Sequence, residues 1–119
     1  MKIYIAHNFA AREWLKLTVD TLRSLGHEVT STWIWEDWHQ NNGLGRECAI
    51  QDLLDIDQAD ALLLFIDQYG DSHGRGKYVE FGYAYAKGKK CYLIGDGLGC
   101  VFYNLPRVER ITKLEDLHV

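Results

Sequence analysis

The chain has 119 residues, and at ~100 to 200 residues per domain that is room for a single domain, 1–119, so any site is built into one fold or shared between copies. Hydrophobic residues make up 47% and charged residues 25%, which excludes a disordered or a fibrous chain. The 13 Lys and Arg against 17 Asp and Glu leave a net charge of -4, a poor balance for gripping phosphate backbones, so a nucleic acid polymer is not the expected partner.

Residues 3–6 form a short apolar run. Leu15, Val19, Leu22 and Leu25 follow at helical spacing with Gly26 as a stop, which predicts a strand and then a helix. Residues 27–35 are rich in β-branched and aromatic side chains and predict a second strand, while residues 36–45, with Asn41-Asn42-Gly43, predict a polar loop. Residues 46–58 predict a helix that buries Ala49, Ile50, Leu53 and Leu54, and residues 61–66 are a continuous apolar run suited to a buried central strand. A loop at 67–76, a helix at 77–87 with the small residues Gly82, Ala84 and Ala86, and a strand at 90–94 come next. Residues 95–99 read as a turn, 108–111 as a last short strand and 113–117 as a closing helical turn.

Strands alternating with helices predict right-handed crossovers and an α/β fold, a flavodoxin-like three-layer sandwich with a mostly parallel, five-stranded sheet. Ligands of such sheets sit in the loops beyond the carboxyl ends of the strands, here 7–12, 36–45, 67–76 and 95–104, near the crevice between the first and third strands. No apolar run approaches the ~20 residues that span a bilayer, and residues 1–9 lack the pattern of a secretory signal, so no membrane partner and a cytoplasmic location are expected. Cys48, Cys91 and Cys100 are odd in number and form no CxxC pair, and His7, His27, His39, His73 and His118 are scattered. The expectation is free thiols and no metal.

The sharpest local feature is Gly74-Arg75-Gly76-Lys77-Tyr78-Val79-Glu80-Phe81-Gly82-Tyr83-Ala84, a glycine-bearing loop that runs into a helix after the buried strand. It puts Glu80 in the first helical turn, where free N–H groups and the helix dipole favour an ionised carboxylate. Two readings follow, an acid that complements the dipole and a nucleophile.

On these residues the chain resembles the nucleoside 2-deoxyribosyltransferase family, with its related nucleotide N-glycosidases, through residues 52–67 and 77–88 and the motif Glu80-Phe81-Gly82-Tyr83-Ala84. Gly88-Lys89-Lys90, Val101-Phe102 and Leu105-Pro106 are similar to the family's continuation. The resemblance implies cleavage of an N-glycosidic bond without metal or organic cofactor, the glutamate that matches Glu80 attacking the anomeric carbon of a deoxyribose. A second base captures the glycosyl ester in transferases, and water captures it in the hydrolases.

Asp52 aligns with a family active-site aspartate and would protonate the leaving base; its other reading is a solvated helix face, like the nearby Asp55 and Asp57. The family's second aspartate, six residues before the glutamate, falls on Gly74. Asp71 or Ser72 in the loop, or Asp67 at the strand's end, would substitute, unless Asp67 merely caps the turn. In the first loop, Ala6-His7-Asn8-Phe9 replaces a small-residue turn; Tyr4 and Phe9 are expected beneath the sugar and Asn8 on a hydroxyl. Arg12, at the start of the first helix, is expected to hold a 5'-phosphate. Arg75 and Lys77, flanking Gly76, offer a second anion contact or are solvated surface cations.

Trp33 and Trp35 would share one strand face, with Trp35 assigned to the pocket and core packing or a subunit contact as the other use. Gly95-Asp96-Gly97-Leu98-Gly99 is not GxGxxG, which excludes a dinucleotide site. Relatives assemble as homodimers or larger, and Asn104 is the expected contact in trans. Two functions stand against each other: an enzyme of N-glycosidic bonds, and a protein that binds a nucleotide derivative without turnover. Both take a small-molecule nucleoside or nucleotide as partner.

Overall fold

In the computed structural model, which describes residues 1–36, 45–66, 75–95 and 100–117, the two most apolar runs form neighbouring strands. Lys2–Ala6 (β1) and Ala61–Phe65 (β3) pair in parallel, Ile3 opposite Ala61 and Ile5 opposite Leu63. Strands buried on both faces need helices on both. Arg12–Ser24 (α1) follows β1, Gly45–Gln58 (α2) precedes β3, and Gly76–Ala86 (α3) leads into Lys90–Ile94 (β4). Glu28–Val29 (β2) and Val108–Ile111 (β5) are the edges of a five-stranded, wholly parallel sheet in the order β2-β1-β3-β4-β5. The flavodoxin-like expectation is met. Chain progression reverses beside β1, so the crevice between β1 and β3 is the sheet's switch point.

The helices follow from simple patterns. α1 carries Glu13 in its first turn and Arg23 in its last, both favourable to the helix dipole, and it buries Leu15, Val19 and Leu22. Gly26, at φ +94, reverses the chain behind it, and its N–H donates to the Arg23 carbonyl. On α3, Lys77, Phe81 and Ala84 are buried at i, i+4 and i+7, so Glu80 shares the inward stripe. Trp14 of α1 meets Phe65 edge-on at 5.4 Å, which puts alternate residues of β3, with Ile3 and Ile5 opposite them, on the α1 side of the sheet. Tyr4 and Ala6 consequently point towards α2 and α3.

Three expectations are corrected. The second strand is only Glu28–Val29, and Trp33–Trp35 is a 3-10 turn. The ladder stops because side chains take over the backbone bonds: Ser31 Oγ accepts from Ile5 N at 2.6 Å, and Thr32 N donates to Asp55 Oδ2 at 2.9 Å. Trp33 and Trp35 therefore do not share a face. Trp33 is buried and its Nε1 donates to the Ile5 carbonyl at 2.9 Å, while Trp35 is 49% exposed.

The inward face of α2 is also not the expected one. Asp55 and Ile56 are buried, whereas Ala49, Ile50 and Leu54 are exposed and Leu53 is half-buried. The helix is rotated towards Asp55 because that residue finds three donors across from it, Thr30 Oγ1, Thr32 N and Thr32 Oγ1, a geometry that periodicity of apolar residues cannot register. Finally, α3 begins at Gly76, one residue earlier than expected, which moves Glu80 out of the first turn. Most of the expected loops at 36–45 and 67–76, and residues 96–99 of the expected turn, lie outside the described residues.

Candidate active site

The site grows from the middle of β1. Tyr4 is fully buried, and its hydroxyl donates to Glu80 Oε2 at 2.5 Å, joining the sheet to α3. Asp52 reaches the same place from α2, near enough to Glu80 that the two carboxyls act on each other's protonation. A second bond keeps the two helices at this spacing: the Tyr83 hydroxyl, within the Glu80-Phe81-Gly82-Tyr83-Ala84 motif, donates to Asp57 Oδ1 at 2.8 Å. Glu80, Asp52 and Tyr4 thus come from three elements and meet on the α2 and α3 face of the sheet.

Electrostatics at this meeting point reverse one expectation. Glu80 does not sit in the first turn, where free amides would favour its charge. Burial pushes its carboxyl up to about 8, against the Tyr4 hydrogen bond that favours the ionised form. Asp52 is pushed up to about 7, first by burial and then by the charges of Glu36 and Asp55. Two facing carboxyls cannot both ionise cheaply, so near neutrality the pair holds one proton between them. Tyr4 is driven upward by burial and by the Glu80 charge, and stays a neutral donor. At rest burial favours the proton on Glu80 over Asp52. With that proton moved across to Asp52, the arrangement is a carboxylate steadied by a phenol beside a carboxylic acid, the two partners that nucleophilic attack and proton delivery require.

The first loop stands at the carboxyl end of β1. The His7 ring stacks on Phe65 at 5.2 Å and meets Trp14 edge-on at 5.8 Å, while its Nδ1 accepts from Asn8 N at 2.7 Å. With Nδ1 accepting, the ring proton resides on Nε2. Phe9 opens a 3-10 turn, with Trp33 at 6.2 Å and the Arg12 guanidinium 4.5 Å above its ring. These contacts brace His7, Phe9 and Arg12 against β3 and the 33–35 turn, with Asn8 between them.

Other expected positions are dispersed. Trp35 lies under the Arg23 guanidinium at 5.6 Å, on the last turn of α1, and its contact is not with the carboxyl pair. The strand that was to aim Trp35 at a ligand is absent. Arg75 caps α3 and is exposed, and Gly76 is the first residue of that helix. Lys77 is only 1% exposed, with Nζ 5.5 Å from the Tyr78 ring, so it is not a solvated surface cation. Asn104 ends the turn Val101–Asn104, is exposed, and its Nδ2 donates to the Val101 carbonyl at 3.2 Å. Asp67, Asp71, Ser72 and Gly74 lie outside the described residues.

Residues passed over in the sequence also gather here. The Cys48 thiol is hydrogen-bonded to Glu36, and burial pushes its pKa up. Cys48, Asp52 and Asp55 follow at i, i+4 and i+7 on one side of α2, a polar stripe that helical spacing alone would have shown. The three cysteines are free thiols, and among the described residues no group of three or more His, Cys, Asp or Glu is placed to hold a metal. No helix among the described residues is long and apolar enough to cross a membrane.

No family model and no curated protein matches the chain. Several solved structures are similar to it, two of which follow. The 2-deoxyribosyltransferase of the psychrotolerant bacterium Bacillus psychrosaccharolyticus superposes with a TM-score of 0.74 at 23% identity, covering 99% of this chain and 93% of that one. The CMP N-glycosidase BcmB of Clostridium botulinum superposes with a TM-score of 0.66 at 20% identity, covering 93% of this chain and 88% of that one. The chain therefore has the fold of a deoxyribosyltransferase and of a nucleotide N-glycosidase, the two kinds of protein to which its sequence bears a resemblance.

Proposed function

We propose that the chain cleaves or transfers at the N-glycosidic bond of a (deoxy)nucleoside or nucleoside 5'-monophosphate, as a cytoplasmic enzyme. The observation that carries this reading is the cluster of buried Tyr4 with half-buried Glu80 and Asp52 in a fold shared with two enzymes named for such substrates. In the first step an oxygen of the Glu80 carboxylate bonds to the anomeric carbon as the bond to the base breaks. The electron pair leaves with the base, which takes the Asp52 proton. In the second step a nitrogen of another base, or a water oxygen, displaces the Glu80 ester and gives its proton back to Asp52. Two displacements at one carbon retain its configuration.

Tyr4 contributes twice. Its hydroxyl steadies the attacking carboxylate, and its burial keeps water from taking the same place. Arg12, Arg75 and Lys77 are the proposed contacts for a 5'-phosphate, His7, Asn8 and Phe9 those for the sugar. Asn104 is proposed to enter the site of a neighbouring copy in a homodimer or larger assembly.

A panel of nucleosides and monophosphates, incubated with and without a free acceptor base and separated by chromatography, tests the proposal. The unaltered protein should release or exchange base, and Glu80→Ala should lose at least about a hundredfold in rate. Mass spectrometry of a quenched reaction should show the glycosyl adduct on the peptide carrying Glu80. Tight binding with the ligand recovered intact would instead establish the protein as a binder without turnover.

A further inference from the structure

We propose that Asp55 is a positioning residue of this site: by accepting hydrogen bonds from Thr32 and Gln51 it locks the segment leaving β2 onto α2 and thereby holds Asp52 in front of Glu80. The inference rests on the N-glycosidic reaction proposed above. Asp55 is buried and both of its carboxyl oxygens are engaged. Oδ2 accepts from the Thr32 amide at 2.9 Å and the Thr32 hydroxyl at 2.7 Å, and Oδ1 accepts from Gln51 Nε2 at 2.8 Å. Its main-chain carbonyl also accepts from Thr30 Oγ1 at 2.8 Å. Three of these four bonds cross from α2 to residues 30–32.

Among the described residues no cation neutralises this buried carboxyl, and an apolar side chain would pack α2 at lower desolvation cost. What the carboxyl supplies is register. Asp52 lies one helical turn earlier on the same side of α2, and Glu36, four residues after Thr32, approaches α2 closely enough to bond Cys48. The clamp therefore fixes Asp52, one member of the reacting pair, together with Glu36, whose charge acts on it. Among the described residues the titratable groups acting on Asp52 are Glu36 beyond the 33–35 turn, Asp55 of α2 and Glu80 of α3, and Asp52 in turn acts on Tyr4 of β1 and Cys48 of α2.

Two mild variants separate geometry from charge. Asp55→Asn keeps the shape and removes the charge, and Thr32→Val removes one donor and leaves the charge. For each, kcat and KM of base release are measured on the full chain, and the carboxyl carbons of Asp52 and Glu80 are titrated by NMR without substrate. The expected result is a kcat lower by about ten- to a hundredfold with KM within about twofold, the scale of an ångström of misplacement. In Asp55→Asn the Asp52 midpoint should also move to lower pH, because a like charge has been removed.

A fall in melting temperature with unchanged kcat and unchanged Asp52 titration would overturn the proposal, leaving Asp55 a packing residue only. If Asp55→Asn does not fold, Thr32→Val decides by the same two readouts. If the unaltered protein releases no base from any substrate, the reaction fails as a reading, and the Asp52 titration still decides whether Asp55 sets the state of the pair.

Discussion

For the proposed attack on carbon the Glu80 carboxyl has to be ionised, yet the walls around it favour its proton. The Tyr4 hydroxyl opposes them, since a hydrogen bond to a charged group is worth about 1.5–3 kcal/mol. Tyr4→Phe should therefore lower kcat by about ten- to a hundredfold while the protein stays folded, read by single-turnover base release; an unchanged rate would mean that the phenol only packs. The same burial has a cost in stability. With its folded pKa raised from 4.5 to about 8, Glu80 holds its proton more tightly in the folded chain than in the unfolded one. The stability this lends is complete below the unfolded value and is lost as pH rises through the folded one. Glu80→Gln, which cannot ionise, should gain at least about 1 kcal/mol over the unaltered protein at pH 9, roughly 4 °C in melting temperature, and nothing near pH 4. Thermal melts across that range check it, and a difference independent of pH would count against a buried, protonated Glu80.

Among the elements, the end of β4 shows how tightly the carboxyl edge of the sheet is closed. Gly95 lies at φ +118, and a Cβ there would stand 2.8 Å from the Ile66 carbonyl oxygen at the end of β3. Ile66 N donates to the Ile94 carbonyl at 2.9 Å, so neither strand end can retreat without losing that bond. Gly95→Ala should cost about 1–3 kcal/mol, measured by denaturant unfolding, and a neutral result would show that the strand ends open easily. α2 makes the complementary point. Ala49, Ile50 and Leu54 look outward while Asp55 looks inward beside Ile56, because Asp55 bonds Thr32, Thr30 and Gln51 while Asp57 bonds Tyr83.

Taken as a whole, the molecule leaves large apolar side chains uncovered on both sides of the sheet, Trp14 and Leu17 on α1 and Trp35 in the 33–35 turn, and on the other side Ile50 and Leu54 on α2 and Val79 on α3, with Val101 and Phe102 in the 101–104 turn. Such patches are usually covered by a partner, and the proposed partner is a second copy of this chain. Sedimentation should give a homodimer or larger species for the unaltered protein. The double variant Ile50→Glu and Leu54→Glu should sediment as a monomer, and a monomer in both cases would remove the assembly and the role of Asn104 with it.

The alternation of apolar runs and amphipathic helices determined the α/β class and the parallel sheet, because burying two-sided strands leaves few other solutions. The Glu80-Phe81-Gly82-Tyr83-Ala84 motif marked the helix that carries the proposed nucleophile, and Tyr4 and Asp52 were legible as its company. Only the tertiary structure decided what those residues experience. That Glu80 resists ionisation follows from burial against β1 and from Asp52 across the helix gap, neither of which is local in the chain. The shortness of β2, the outward turn of Trp35 and the inward turn of Asp55 were decided by hydrogen bonds between residues 23 to 28 positions apart. Strand propensity and apolar periodicity weigh each residue against its sequence neighbours, so a carboxylate that collects its donors from a distant segment is invisible to them.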